Sequence, residues 1–353
     1  MKKFIKKFLK QKKIFIILEA IATLLLIVSL ILLLTGNDNK PEINGEKEVE
    51  TNNKEEIKEE VSIVDINSKS RPYAVMINNI SVARPLQSGL QDAYIIYEII
   101  VEGGITRYLA LFLDQDTERI GSIRSARHYY LDYALENDAI YVHHGQSPQA
   151  QSDFSALGLD RISVGNKTGW RDKSLNVSSE HTLFTNIEKL NSGLGKMRTE
   201  RKKDLLFDYS SKEINLNDWE NSKVANKVSI TYSKATTSSY EYDATEKVYK
   251  RFVNGKEHSD YVTKEQYTFK NIITYQLKNT NVSGDNKGRQ NLDNIGSGEG
   301  YYITNGYATK IKWKKECREC QTEFTYLNGK EIVLNDGNTF IQIQPKGEEL
   351  KIS

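Results

Sequence analysis

The chain has 353 residues, 38% hydrophobic and 27% charged, which is long enough for one or two domains with real cores and ordinary enough for a body that folds in water. Its formal charge of +2 hides an asymmetry: with the seven lysines ahead of residue 14 taken from 49 basic residues, and Glu19 from 47 acidic ones, 42 stand against 46, near −4. That balance speaks against a nucleic-acid surface, and two cysteines are too few for a disulfide framework.

The first element is apolar. Ile14 to Leu34 holds 21 residues with one acid, Glu19, and no base, enough to cross a bilayer core of about 30 Å at the helical rise. Residues 14–35 are therefore predicted to be a transmembrane signal anchor. The lysines before it leave residues 1–13 in the cytoplasm and send the rest outward, as a single-pass protein of the plasma membrane. A cleaved signal peptide would have a shorter apolar core, and a lipoprotein signal needs a cysteine just after it. Residues 36–70, charged, Asn-rich and poor in aromatics, are expected to form a disordered acidic stalk.

Residues 71–205 are expected to form a mixed α/β domain. Tyr73–Asn79 and Ala93–Val101 are apolar strand-like runs; Glu102-Gly103-Gly104 breaks the second, and Ile105–Asp114 resumes it as a hairpin. Arg119–Arg124 is a short strand. Ser125 to Asn137 has apolar spacing of helical period with Ser125 as its N-cap. Ala139–His144 is a strand that turns at Gly145, and Ser147-Pro148 opens a helix over Gln149–Leu157. Residues 186–203 look helical and polar. From residue 206 onward, short alternating runs separated by N-G-K, S-G-D and N-D-G predict an antiparallel β-rich domain. The fold class expected is α+β.

Three constellations carry chemistry. In V-E-G-G-I-T-R, Glu102 sits at a hairpin tip and Arg107 on the departing strand. In G-S-I-R-S-A-R, Arg124 and Arg127 fall three apart, where a helix beginning at Ser125 would gather both guanidiniums for a phosphate or carboxylate. Pairing with Asp114, Asp116, Glu118 or Asp132 is the plainer alternative. In Y-V-H-H-G-Q-S-P-Q-A-Q a strand runs through His143 and His144 into a glycine turn and a capped helix, a place where α/β proteins hold ligands. Adjacent strand residues point to opposite faces, so only one of the two histidines can face a given site. Ser147 reads as a cap before it reads as a nucleophile. His181 is a third histidine, but no H-x-H or H-x-x-x-H spacing appears, so neither metal nor cofactor is expected. E-C-R-E-C-Q holds one C-x-x-C without the second half of a zinc site, so a local disulfide or two thiols in a hairpin loop are expected.

The runs R-P-Y-A-V-M-I-N-N, A-R-P-L-Q-S-G-L-Q-D-A-Y-I-I-Y-E, V-E-G-G-I-T-R-Y-L-A-L-F, G-S-I-R-S-A-R and H-H-G-Q-S-P-Q-A resemble the first domain of the YerB-like lipoproteins of Gram-positive bacteria. I-T-N-G-Y-A-T-K-I-K-W-K-K and L-N-D-G-N-T-F-I-Q-I-Q-P are similar to that family's second domain. The resemblance covers roughly residues 71–346 and implies two adjacent domains outside the plasma membrane. It implies no reaction, so no catalytic residue is carried over. The family's lipid-attachment cysteine has no counterpart here.

Two functions fit these residues. One is an envelope protein that binds an anionic wall component or a partner protein through Arg107, Arg124, Arg127, His143 and Ser147. The other is an extracytoplasmic hydrolase or transferase acting on phosphate-containing glycan precursors, with Glu102 or His144 as general acid or base.

Overall fold

Strands that are apolar at every position, rather than alternately, need cover on both faces. In the computed structural model, which describes residues 60–219 and 221–353, the first half forms strands β1 (Tyr73–Asn78), β2 (Ile95–Ile100), β3 (Thr106–Phe112), β4 (Ile120–Gly121), β5 (Ile140–His143), β6 (Arg161–Ser163), β7 (Trp170–Arg171) and β8 (Leu183–Thr185). Its helices are α1 (His128–Glu136), α2 (Pro148–Ala156) and α3 (Ile187–Ser192). Every residue of β1, β2 and β3 is buried, as is every residue of Thr339–Pro345 near the C-terminus.

These four strands are neighbours in one sheet of eleven. β3 lies antiparallel between β1 and β2, with Tyr73 opposite Phe112 and Ile95 opposite Leu111. β2 runs parallel to Thr339–Pro345, which runs parallel to Asn271–Leu277. Beyond that, Gly296–Thr304 and Tyr307–Lys315 extend the sheet antiparallel, and on the other side β5 and β6 continue it parallel to β1. One face of β1–β3 packs beneath α1 and α2, through residues such as Leu109, Tyr130, Tyr133 and Phe154. The other is covered by a six-stranded sheet built on Lys227–Ser233, Thr236–Asp243 and Val248–Val253, whose Val228, Ile230 and Tyr240 meet Val75, Tyr108 and Phe340.

This arrangement corrects the expected α+β division. Among the described residues the protein is mostly β, at 41% strand and 12% helix, with three α-helices. The C-terminal strands are expected to form a domain of their own, but they share the large sheet with the first half and supply a second sheet that covers one of its faces. The expectation of a spanning helix is likewise unsupported: among the described residues no helix is long and apolar enough to cross a membrane, and residues 14–35 lie outside them. Ordered chain begins before Arg71, because Ser62 donates through its amide and its hydroxyl to Asp336 (2.9 and 2.7 Å) and Val64 is buried. The helix expected over 186–203 stops at Ser192, where Gly193 follows.

Between the two sheets lies an ion pair with no exposure on either side: Arg251 Nη2 donates to Glu98 Oε2 at 2.6 Å. Glu98 also accepts from the Thr106 hydroxyl (2.6 Å) and the Ser238 hydroxyl (2.9 Å). The guanidinium donates to Tyr240 Oη (3.2 Å) and His258 Nδ1 (3.1 Å) and lies 4.6 Å from the Phe340 ring centroid. A buried charge deprived of its partner is costly. Arg251→Met should therefore destabilise the fold by about 3–5 kcal/mol in denaturant unfolding. Glu98→Gln together with Arg251→Met should recover a substantial part, because no charge is then left unpaired.

Candidate functional site

The E-G-G turn joins β2 to β3 with Gly103 and Gly104 both left-handed, at φ +68° and +70°. A side chain at Gly104 would also have no room, since a Cβ there would come within 2.7 Å of Ser233 Oγ. The Gly104 carbonyl accepts from the hydroxyls of Ser233 (2.6 Å) and Thr236 (3.1 Å) in the second sheet. The turn is thus held from the C-terminal half, and it aims Glu102 at two arginines. Arg127 Nη2 donates to Glu102 Oε2 at 2.9 Å while its Nε reaches Oε1, a two-pronged fork. Arg107 Nη2 lies farther from the same carboxylate, at 3.9 Å.

Arg107 is buried. Its Nη1 donates to the Ser125 carbonyl at 2.5 Å, and its Nε has no partner. Burial, then the positive charge of Arg127, pushes its pKa down to about 10. Glu102 moves the other way from what burial dictates. Burial would raise its pKa, but the hydrogen bond and charge of Arg127, with Arg107 behind, hold it below the usual range.

Arg124 reaches this region by a different route from the one its spacing suggested. The helix begins at His128, not at Ser125, and no side chain caps it. The preceding residues run extended as a wedge between the C-terminal ends of the parallel strands β1 and β5. On one side Asn78 N–H donates to the Ser122 carbonyl and Arg124 N–H to the Met76 carbonyl, both at 2.9 Å. On the other side His144 N–H donates to the Arg124 carbonyl (3.1 Å) and Ala126 N–H to that of Gly145 (2.9 Å). Strand ends of this kind are where open sheets present groups to ligands. From the wedge Arg124 extends to Glu180 at 2.7 Å, and beside it His181 Nδ1 pairs with Asn78 Nδ2 at 3.0 Å.

The two histidines do face opposite ways. His143 is fully buried, its Nδ1–H donating to the Gly145 carbonyl (2.8 Å), its Nε2 facing Arg161 (3.4 Å), and Phe154 packed 5.0 Å away. His144 donates from Nδ1 to the Val164 carbonyl (2.8 Å) and turns Nε2 to Arg171 (3.3 Å). Ser147 is the cap of α2, accepting from Ala150 N–H at 3.2 Å. Glu102, Arg107 and Arg127 therefore form one cluster with Arg124 at its edge; the histidines and Ser147 serve the β5–α2 connection. Cys317 and Cys320 are disulfide-bonded. Among the described residues no group of three His, Cys, Asp or Glu could hold a metal. Sequence reasoning missed Glu180 and Arg171. Both lie on the excursion around β7 and β8, and no local pattern announces that it folds back over the wedge.

Burial, followed by the charge of Arg161, pushes the His143 pKa down to about 4 from its ordinary 6.5. The unfolded chain therefore binds the proton more readily, and the contribution of a neutral His143 is complete above pH 6.5. As pH falls from 6.5 to 4, this one residue should cost about 3 kcal/mol of stability. Denaturation midpoints measured across that range should fall less steeply in His143→Gln.

Residues 61–200 match the family described as a protein of unknown function (DUF3048), N-terminal domain, and residues 228–341 match the C-terminal domain of the same family. The chain is 29% identical over 301 residues to "Putative lipoprotein YerB" of Bacillus subtilis (strain 168), spanning 81% of this chain and 85% of that protein. It is also similar to the crystal structure of YerB from Bacillus subtilis, with a TM-score of 0.68 and 26% identity over 80% of this chain and 94% of that one. The resemblance seen in the R-P-Y-A and V-E-G-G motifs is borne out, and with both parts of the pattern present in order the chain belongs to the DUF3048 family.

Proposed function

We propose that this chain is an extracytoplasmic protein of the cell envelope that binds an anionic wall component or an acidic partner through Arg107, Arg124 and Arg127. The observation that carries this reading is an imbalance of charge. Among the described residues three guanidiniums pair with only two carboxylates, Glu102 and Glu180, and Arg107 shares Glu102 with Arg127 at the longer distance of 3.9 Å. Guanidinium groups match carboxylate and phosphate geometry, and an arriving anion would offset the burial and, after it, the repulsion from Arg127 that together lower the Arg107 pKa. The envelope location is supported by the name of the Bacillus subtilis relative, which is that of a lipoprotein.

The same geometry weighs against the hydrolase reading. A general base should have a pKa near the working pH, and Glu102 is held below the ordinary carboxylate range by Arg127. Both ring nitrogens of His144 are engaged, one by a carbonyl and one by Arg171.

Arg124 is the residue to change, because its side chain is 23% exposed and its partner Glu180 is 53% exposed, so its loss should leave the fold intact. In binding measurements on the full-length protein with anionic wall polymers, Arg124→Ala should weaken binding by about tenfold, the equivalent of about 1.4 kcal/mol. Arg124→Glu should weaken it further. Equal binding by wild type and both variants would remove this surface from consideration.

A further inference from the structure

We infer that Glu102 is a built-in counter-anion, and that a ligand oxyanion binds by taking its place on Arg127. The inference rests on the reading of the arginine cluster as an anion site. It adds the chemical class of the ligand and the contact that regulates entry.

The geometry of the fork defines the class. Glu102 offers two oxygens from one carbon, and Arg127 meets them with Nη2 at 2.9 Å and with Nε. A group that replaces it must carry at least two oxygens on one centre with matching spacing, as a carboxylate or a phosphate does and a halide does not. Arg127 stays in place when the carboxylate leaves, because its Nη1 donates separately to the Ala126 carbonyl at 2.7 Å. Arg107 stays as well, anchored to the Ser125 carbonyl at 2.5 Å. The guanidiniums are the fixed part of the site.

Glu102 is the part that can move. Its side chain is 19% exposed against 10% for Arg127 and 7% for Arg107, so solvent reaches the carboxylate first. It begins a turn whose next two residues are left-handed glycines, and Gly103 is exposed with no atom within 4 Å of where its Cβ would be. The turn beside Glu102 is thus open to solvent at Gly103. The turn itself does not unfasten, since Ser233 and Thr236 hold the Gly104 carbonyl. The displacement is therefore of one side chain rather than of the hairpin.

An occupied fork lowers apparent affinity in proportion to the fraction of molecules in which it is free. If Glu102 occupies Arg127 nine-tenths of the time or more, removing its charge strengthens ligand binding by at least about tenfold. The test is titration of the full-length protein with inorganic phosphate in one arm and acetate in the other, at constant ionic strength set with chloride. Wild type, Glu102→Gln, Glu102→Asp, Arg124→Ala and Glu102→Gln/Arg127→Gln are compared. Glu102→Gln should bind at least about tenfold tighter than wild type. Glu102→Asp, which keeps the charge but is one methylene short of the fork, should show a smaller gain, and Arg127→Gln should abolish the gain. Tightening with phosphate only, or with acetate only, supports the inference and identifies the source of the oxyanion. Unchanged or weaker binding by both Glu102 variants, while Arg124→Ala still loses affinity, would overturn this inference and leave the anion site standing. No binding by any variant would overturn both.

Discussion

A carboxylate and a guanidinium buried without exposure, Glu98 and Arg251, set the terms on which this chain can fold. Neither charge could be tolerated alone in that interior, and each comes from a different half of the sequence. The pattern repeats twice beside α1. Lys315 meets Glu136 at 2.7 Å with both side chains 1% exposed, and Arg318 bridges Asp132 and Asp153, each at 2.7 Å. In all three the acids belong to the first half and the base to the second. Each half folded by itself would bury or expose charges whose partners lie in the other half, so the two matched family segments act as one folding unit rather than as two joined modules.

The same interaction reaches the arginine cluster through covalent neighbours. Glu98 is on β2 and its hydroxyl partner Thr106 opens β3, so the network grips both strands of the hairpin at the level where the E-G-G turn begins. From the helical side the single Tyr130 O–H is shared between the Ile99 carbonyl at 2.7 Å and that of Arg107 at 2.9 Å, and Tyr129 Oη donates to the Ile100 carbonyl at 2.8 Å. From the sheet side Ser233 and Thr236 fix Gly104. The backbone on either side of Glu102 is thus pinned, and the freedom left in this region belongs to side chains.

What the sequence disclosed depended on how local the signal was. Alternation in K-V-S-I-T-Y-S correctly marks a half-buried strand, because the burial of Val228, Ile230 and Tyr232 follows from residues two apart. The cap at Ser147 was equally legible, since Ser-Pro followed by a helix involves only four residues. The cap assigned to Ser125 was wrong for a tertiary reason. Backbone groups of β1 and β5 on either side bind Ser122 to Ala126 as a strand-like wedge, and the helix can start only once that pairing ends. Likewise, continuous apolar character in β1 to β3 reports that both faces are covered but not what covers them. That information lies in Tyr240 and Arg251, about 150 residues away, and no periodicity links the two. Residues 61–64 fall in the stretch whose charged, Asn-rich composition predicts a disordered stalk; they dock because Asp336, far along the chain, accepts the hydroxyl and amide of Ser62.

The candidate site differs from the two fully buried pairs, Glu98–Arg251 and Glu136–Lys315, in one respect that bears on function. In the core each base meets carboxylates of known number and close distance, and the surrounding side chains complete the hydrogen bonds. In the cluster around Glu102 the charges do not cancel, and Arg107 is left with an unpartnered Nε and a carboxylate at 3.9 Å that it shares with Arg127. A fold that neutralises Glu98 and Glu136 so completely has the means to neutralise three more arginines, yet it sets only Glu102 and the exposed Glu180 against them. Desolvated positive charge without a full complement is expensive to keep, and pinned backbone is what allows it to persist, because the groups cannot relax apart. The excess is located at the ends of β1 and β5, on the side open to solvent through Glu102 and Arg124, where the proposed anion would complete it.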